Sequence, residues 1–253
     1  SDTTESWIWW IDEQMNLLQS TGLADNADVF LCTTLPLGLV NQKNDMTYDE
    51  MVIKYINDNF PFIKIIDIRG RHEEPNIFEG QTLKRLWDYC QSYDGYVLYF
   101  HNKGMNSYGT HIPGAVHDWK ELLNYFSLER WKDCVNKLNE GYDCVGINWL
   151  GDKNLAGQKI DDDFNFICHH FAGNFWWANS KYIRTLPNPL DFDKYCDAEF
   201  MTKNMATYRY AFEIWIGHEN TKYYSFHQTN THHYFEYYPR QKYDNSKEYV
   251  YGA

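Results

Sequence analysis

Tyr96-Val-Leu-Tyr-Phe100 is an unbroken apolar run, followed at once by the polar residues His101, Asn102, Lys103 and Gly104. A run that does not alternate suits a strand covered on both faces, and such a strand demands layers of helix on either side of a sheet. In open α/β sheets ligands sit beyond the carboxyl ends of the strands, so the residues directly after this run are the first place to look for a site. Read as an ordinary exposed turn, the same residues need only Gly104 to supply a positive φ, with Lys103 solvated.

The rest of the chain fits a layered fold. Trp7, Trp10, Ile11, Met15 and Leu18 recur at three- and four-residue spacings and predict an amphipathic helix ending near Gly22. A strand over Val29–Thr34, a helix around Tyr48–Asn57 and a strand over Phe62–Ile68 follow. A helix over Thr82–Ser92 precedes the central strand. Helices over Val116–Phe126 and Leu128–Asn139 lead to a strand over Asp143–Asn148. Strand and helix alternating at these lengths predict an α/β fold with a largely parallel central sheet flanked by helices. Phe164–Asn179 reads as a strand or bent hairpin, and a short helix from Ser180 stops before Pro187. Helical stretches around Asp197–Asn204 and Tyr208–Ile216 precede a tail from Tyr223 that is rich in aromatics and histidine but has no period. No repeat or Pro/Gly/Ser-rich linker divides the 253 residues, which predicts one domain over 1–253.

Composition narrows the function classes. With 18% aromatic and 23% charged residues the chain has ample core-forming material. A net charge of -12 opposes any sequence-independent grip on nucleic-acid phosphates or anionic lipid, so no nucleic acid is expected as a partner. The six cysteines, at 32, 90, 134, 144, 168 and 196, form no C-x-x-C pair and read as reduced, mostly buried thiols. No signal peptide, N-x-[ST] site or transmembrane segment of roughly 18 apolar residues is seen. The expected location is cytoplasmic, with the inner face of a membrane compatible as the place of an acceptor.

Five segments carry a resemblance: Trp10-Ile-Asp-Glu-Gln-Met-Asn-Leu-Leu18, Tyr99-Phe-His-Asn-Lys-Gly104, Val145-Gly-Ile-Asn148, Gly173-Asn-Phe-Trp-Trp177 and Glu213-Ile-Trp-Ile-Gly217. In this order they resemble a group of bacterial and viral glycosyltransferases of surface-polysaccharide synthesis related to galactofuranosyltransferase-like enzymes. The resemblance spans nearly the whole chain and implies a GT-A-like, Rossmann-like domain. It also implies transfer of a sugar from a nucleotide-diphosphate sugar to a glycan or glycolipid acceptor, with inversion. GT-A domains open with a strand carrying nucleotide-binding residues; this sequence opens in a helix, so either that first strand is missing or the fold begins differently.

Many GT-A enzymes end the central strand in Asp-x-Asp, whose carboxylates hold a divalent cation against the donor diphosphate. Here the matching position reads His101-Asn-Lys103. A lysine ammonium can offset developing phosphate charge directly, so the expectation is metal-independent catalysis with His101, Lys103 and Gly104 at the diphosphate and no metal ligands. The literal Asp-x-Asp matches at Asp161–Asp163 and Asp191–Asp193 follow no apolar strand and read as solvated loops or helix caps.

On the acceptor side the resemblance implies Gly173, Asn174, Trp176 and Trp177: close backbone approach, a hydrogen-bonding amide and indole faces suited to sugar C–H surfaces. In a strand alternate side chains point to opposite faces, so at least one of the two tryptophans is expected to be structural. Inverting transfer needs a group to take the acceptor hydroxyl proton. Glu213 is the preferred base, its other reading being an ion pair with Arg209 at i−4. Asp118 is the second candidate, its other reading a helix N-terminal acid. Glu79 and Arg85 are weaker donor-side candidates; a tail histidine or Arg240 folding over the diphosphate would resemble the closing C-terminal segments of other GT-A enzymes, with a simple surface tail as the favoured reading. His169, His170, His227, His232 and His233 match no zinc spacing, which disfavours a metal-dependent hydrolase. The rival from another class is a carbohydrate-binding protein that keeps the fold without the chemistry.

Overall fold

A computed structural model describes residues 6–35, 45–70, 79–102, 112–151, 169–191, 194, 208–218 and 221–244. The architecture is mixed α/β. In chain order the described elements are α1 (Ser6–Ser20), β1 (Val29–Leu35), α2 (Tyr48–Asn59), β2 (Ile63–Gly70), α3 (Gly80–Cys90), β3 (Tyr96–Tyr99), α4 (Pro113–Asn124), α5 (Trp131–Asn139) and β4 (Cys144–Gly146). They continue with β5 (Trp149–Leu150), β6 (His170–Phe171), β7 (Trp176–Asn179), α6 (Ser180–Thr185), α7 (Tyr208–Ile214) and β8 (Tyr223–Ser225). The chain forms two compact units, one of Asp12–Phe78 and one of Ser1–Ile11 with Glu79–Ala253.

In the smaller unit β1 and β2 pair in parallel, with a register shift between Leu31 and Cys32. Helix α2 starts at a reciprocal cap: the Glu50 backbone N–H donates to Thr47 Oγ1 at 3.3 Å, and the Thr47 N–H donates to Glu50 Oε2 at 2.8 Å. Its inward residues Val52 and Ile56, one turn apart, are buried along with Met15, Leu18, Leu23, Phe60 and Ile63. The Tyr55 hydroxyl donates to Asp12 Oδ1 at 2.6 Å.

The larger unit is built on a four-stranded sheet in the order β3-β7-β4-β8. Strand β7 lies antiparallel to both β3 and β4, while β4 and β8 are parallel. The expected largely parallel sheet is thus corrected to a mixed one. The cause is that the chain runs back along itself. Strand β6 pairs antiparallel with β5 (Trp149↔Phe171), the Ala172 N–H donates to the Asn148 carbonyl at 3.1 Å, and β7 continues the antiparallel pairing beside β4 (Val145↔Trp177). The turn between β6 and β7, where the Asn174 N–H donates to the Phe171 carbonyl, is an irregularity in that ladder. Strands β3, β4 and β8 still share one direction, so their carboxyl ends and the amino end of β7 lie along the same sheet edge.

Strand β7 is covered on both faces. Trp176 stacks on Tyr99, with ring centroids 5.3 Å apart, and lies 6.3 Å from the Trp215 ring in the turn after α7. Trp177, on the opposite face, donates its indole N–H to the Ser127 carbonyl at 2.8 Å. That carbonyl belongs to a π-helical turn over Tyr125–Glu129 between α4 and α5. Widening the helix there releases carbonyls from the i→i+4 ladder, and the Phe126 carbonyl likewise accepts from Cys134 Sγ at 3.2 Å.

Among the described cysteines, Cys90, Cys134 and Cys144 are buried free thiols and Cys32 is half-buried. Burial pushes the Cys90 thiol up to about 11, which keeps it protonated and inert. Cys168 and Cys196 lie outside the described residues. No described helix is long and apolar enough to cross a membrane.

Candidate functional site at the carboxyl edge of the sheet

His101 leaves β3, Asn174 enters β7, Asn148 follows β4 and His227 follows β8, so all four lie at the edge where three strands end. A fifth residue, Glu79, joins them from the position before α3. A carboxylate there would ordinarily cap its own helix, yet it makes no such bond. Instead its Oε2 accepts from the Asn174 side-chain amide at 2.6 Å and from the Tyr99 hydroxyl at 3.2 Å. The amino end of the helix still favours its negative charge.

The orientation of Asn174 follows from its neighbours. With its Nδ2 donating to Glu79, its Oδ1 accepts from the Trp176 indole N–H at 2.8 Å, which satisfies both ends of the amide. The backbone is also constrained: Asn174 has φ 56° and Gly173 φ 93°. Asparagine tolerates the left-handed region better than most residues. Gly173 has a second reason to lack a side chain, since a Cβ would lie 3.0 Å from Leu123 Cδ1 and 3.2 Å from Trp119 Cζ2.

His101 closes the group. Its Nε2 lies 3.0 Å from the Gly173 carbonyl oxygen and 3.6 Å from Glu79 Oε1. Because a carbonyl can only accept, Nε2 carries a proton; if the ring is doubly protonated, Glu79 is its counter-ion. The ring also meets Phe175 edge-on, with centroids 5.1 Å apart. Glu79, Tyr99, His101, Gly173, Asn174 and Trp176 thus form one polar node beside the sheet edge, with the Glu79 and His101 side chains largely withdrawn from solvent.

The sequence candidates fare differently. His101, Gly173 and Asn174 come together in the node, while Lys103 and Gly104 lie outside the described residues. The assignment of Trp176 and Trp177 to an acceptor is corrected: both are buried on opposite faces of β7 and their indole N–H groups are consumed inside the protein, so neither offers a face to a sugar. Glu213 is buried on α7, the helix that brings Trp215 to Trp176. Asp118 Oδ2 accepts from the Tyr238 backbone N–H at 2.9 Å, so Asp118 anchors the C-terminal segment. Arg240 donates through its two terminal nitrogens to Glu129 at 2.8 and 2.6 Å in a bidentate pair. Asp161–Asp163 and Asp193 lie outside the described residues, and Asp191 pairs with Lys194 at 2.9 Å.

Two features escape a reading of the sequence. Glu79 sits 95 residues from Asn174, a pairing that no local pattern announces. His117, Asp118 and Glu121, on one face of α4, form a possible three-ligand group for a cation among the described residues. Asp118 Oδ2 there also accepts from the Tyr238 N–H, and His117 lies 3.8 Å from Glu121.

Farther along the edge, Asn148 has φ 51°; its Oδ1 accepts from the Thr229 N–H at 2.9 Å and its Nδ2 lies 3.4 Å from His233 Nε2. His233 stacks on Trp119, with centroids 5.3 Å apart. Trp119 is the ring against Gly173, so packing runs continuously from Asn148 to the node. His227 is buried on Phe126, and burial pushes its imidazole down to about 4.

A family model described as "Domain of unknown function (DUF8361)" matches residues 4–223. No curated protein and no solved structure gives a significant match.

Proposed function

We infer that this chain, which belongs to the DUF8361 family, transfers a glycosyl group from a nucleotide-diphosphate sugar to a glycan acceptor. The family's description names no chemistry; the residues of the sheet edge carry the reading. The single observation behind it is the node in which Glu79 and Asn174 fix the Gly173 turn against His101 at the carboxyl end of the central strand. A GT-A-like sheet places its donor at that edge, and three co-directional strands with one reversed neighbour are compatible with it.

In this reading the bond from the anomeric carbon to the diphosphate oxygen breaks and its electron pair leaves with the nucleotide. A bond to the acceptor oxygen forms on the opposite face, and the acceptor proton passes to Glu213. In this proposal a doubly protonated His101, with Glu79 as its counter-ion, and Lys103 supply at the leaving diphosphate the positive charge that a metal held by Asp-x-Asp supplies elsewhere. Inversion and metal independence are parts of the same proposal.

Asp118 is not assigned to proton transfer because its carboxylate is taken by the strand of chain at Tyr238. That engagement favours the second reading, a carbohydrate-binding protein with the same fold and no turnover. A panel of uridine, guanosine and thymidine diphosphate sugars, incubated with the protein in excess chelator, separates the two. Release of nucleoside diphosphate from at least one donor is expected; release seen only after Mn²⁺ is restored overturns metal independence, and no release with or without metal leaves the binding protein.

A further inference from the structure

We propose that the C-terminal segment over residues 228–237 is the docking platform for the glycan acceptor, an inference that rests on the transfer reading above. The segment is pinned at several points. The Ile112 N–H donates to the Tyr234 carbonyl at 3.1 Å, the Tyr238 N–H to Asp118 at 2.9 Å, and Arg240 grips Glu129 through both terminal nitrogens. Beyond these, the Tyr243 ring is buried against Tyr125 and Tyr238.

A segment so firmly held would be expected to turn its apolar rings inward, yet Phe235 is 49% exposed and Tyr237 59% exposed. Exposed aromatic rings on a fixed backbone present flat surfaces at little conformational cost to a partner, and the C–H faces of a sugar ring are a natural complement. Polar groups precede them. Gln228-Thr-Asn-Thr-His232 is a run of amides, hydroxyls and an imidazole, held by the Thr229 N–H bond to Asn148 and a 2.8 Å Thr229–Thr231 hydroxyl contact. Stacking rings beside amides and hydroxyls are the pairing a neutral saccharide uses.

Charge argues against an anionic membrane as the occupant. Residues 226–239 contain Glu236 and no lysine or arginine, within a chain of net charge -12. Position argues for the acceptor. The Tyr234 ring meets Trp119 edge-on at 4.9 Å, and Trp119 is the ring that a side chain at Gly173 would strike. The segment that carries the platform is therefore joined to the turn that holds His101 through the packing of Tyr234 on Trp119. The platform supplies the aromatic surface that Trp176 and Trp177 cannot.

Affinity electrophoresis of the full chain through galactomannan, arabinogalactan and mixed-linkage β-glucan tests the proposal. Retardation by at least one of them is expected, with apparent affinity falling at least tenfold in the Phe235→Ala/Tyr237→Ala double variant while its unfolding midpoint stays unchanged. No retardation in any gel, or equal retardation of the double variant, overturns it. So does flotation with phosphatidylcholine or phosphatidylglycerol vesicles that is abolished by the double substitution, or a dimer that the substitution dissociates. Nucleoside diphosphate release by a protein that no gel retards removes the platform and leaves the transfer reading standing. Retardation through Phe235 and Tyr237 without any release keeps the platform and removes the transfer.

Discussion

The Glu79–Asn174 node and the segment from Gln228 to Tyr238 border the same sheet edge but are built by opposite means. In the node every polar group is answered by another within the protein, rings are buried, and backbone in the left-handed region is held in place by side-chain bonds. In the C-terminal segment the backbone is pinned to Ile112 and Asp118 at α4 while the Phe235 and Tyr237 rings are exposed. The node is therefore suited to holding a fixed geometry, and the segment to meeting a partner. Stability and binding are expected to separate along that line.

The largest stability effect should come from the node. Asn174→Ala removes one of the donors to the Glu79 carboxylate, takes away the acceptor of the Trp176 indole N–H and replaces an asparagine at φ 56°; losses of about 1–2 kcal/mol for each of the two bonds and about 1 kcal/mol for the backbone sum to roughly 4 kcal/mol in urea unfolding. Asn174→Gly should recover about 1 kcal/mol of that, because only the backbone part is relieved. Equal stability of Asn174→Ala and the parent would show that the node is not a structural unit.

Next in size is a pH effect at His227, which underlies the C-terminal segment and shares a 2.9 Å contact with the Tyr238 hydroxyl. Its folded value of about 4 lies below the ordinary 6.5, so between these values the unfolded chain binds the proton more tightly. Stability from this group is full above about pH 6.5 and is lost as pH falls toward 4, by about 2 kcal/mol at pH 5. His227→Gln should flatten that slope between pH 7 and pH 5; an unchanged slope would assign the acid sensitivity elsewhere.

Smaller again is Glu129→Gln, which leaves Arg240 with a neutral partner. Both side chains are partly exposed, so screening limits the loss to about 1 kcal/mol, readable as a lower urea midpoint that high salt partly masks. Least of all should be Tyr237→Ala, within about 0.5 kcal/mol of the parent, since its ring is mostly in solvent. A larger loss would mean that the exposed ring is structural, and would count against its use as a docking surface.

Much of the scaffold was legible where a period or an apolar run expresses it. The three-and-four spacing through Met15 and Leu18 marked α1, the run from Tyr96 marked β3, and the helices on either side of Leu128 lie near their predicted bounds. The direction of β7 was not legible, because it depends on β6 and β7 pairing back against β5 and β4, contacts that no local pattern announces. Trp176 and Trp177 invited a sugar-binding reading that alternation alone could half correct; only the π-helical turn and Trp215 show both faces covered. Glu79 was visible as a candidate but not as a hub, since its partners Tyr99 and Asn174 lie 20 and 95 residues away. The C-terminal segment gave no periodic signal because backbone bonds to Asp118 and Ile112 hold it, not an apolar face.

Nucleoside diphosphate release by the parent protein and by Glu79→Gln, measured side by side in excess chelator with the unfolding of both followed, tests the node as the transfer site most directly. The account predicts release by the parent and a fall of at least about 100-fold in the folded variant, or roughly 2.7 kcal/mol of barrier. Near-parental release by a folded Glu79→Gln variant would contradict it.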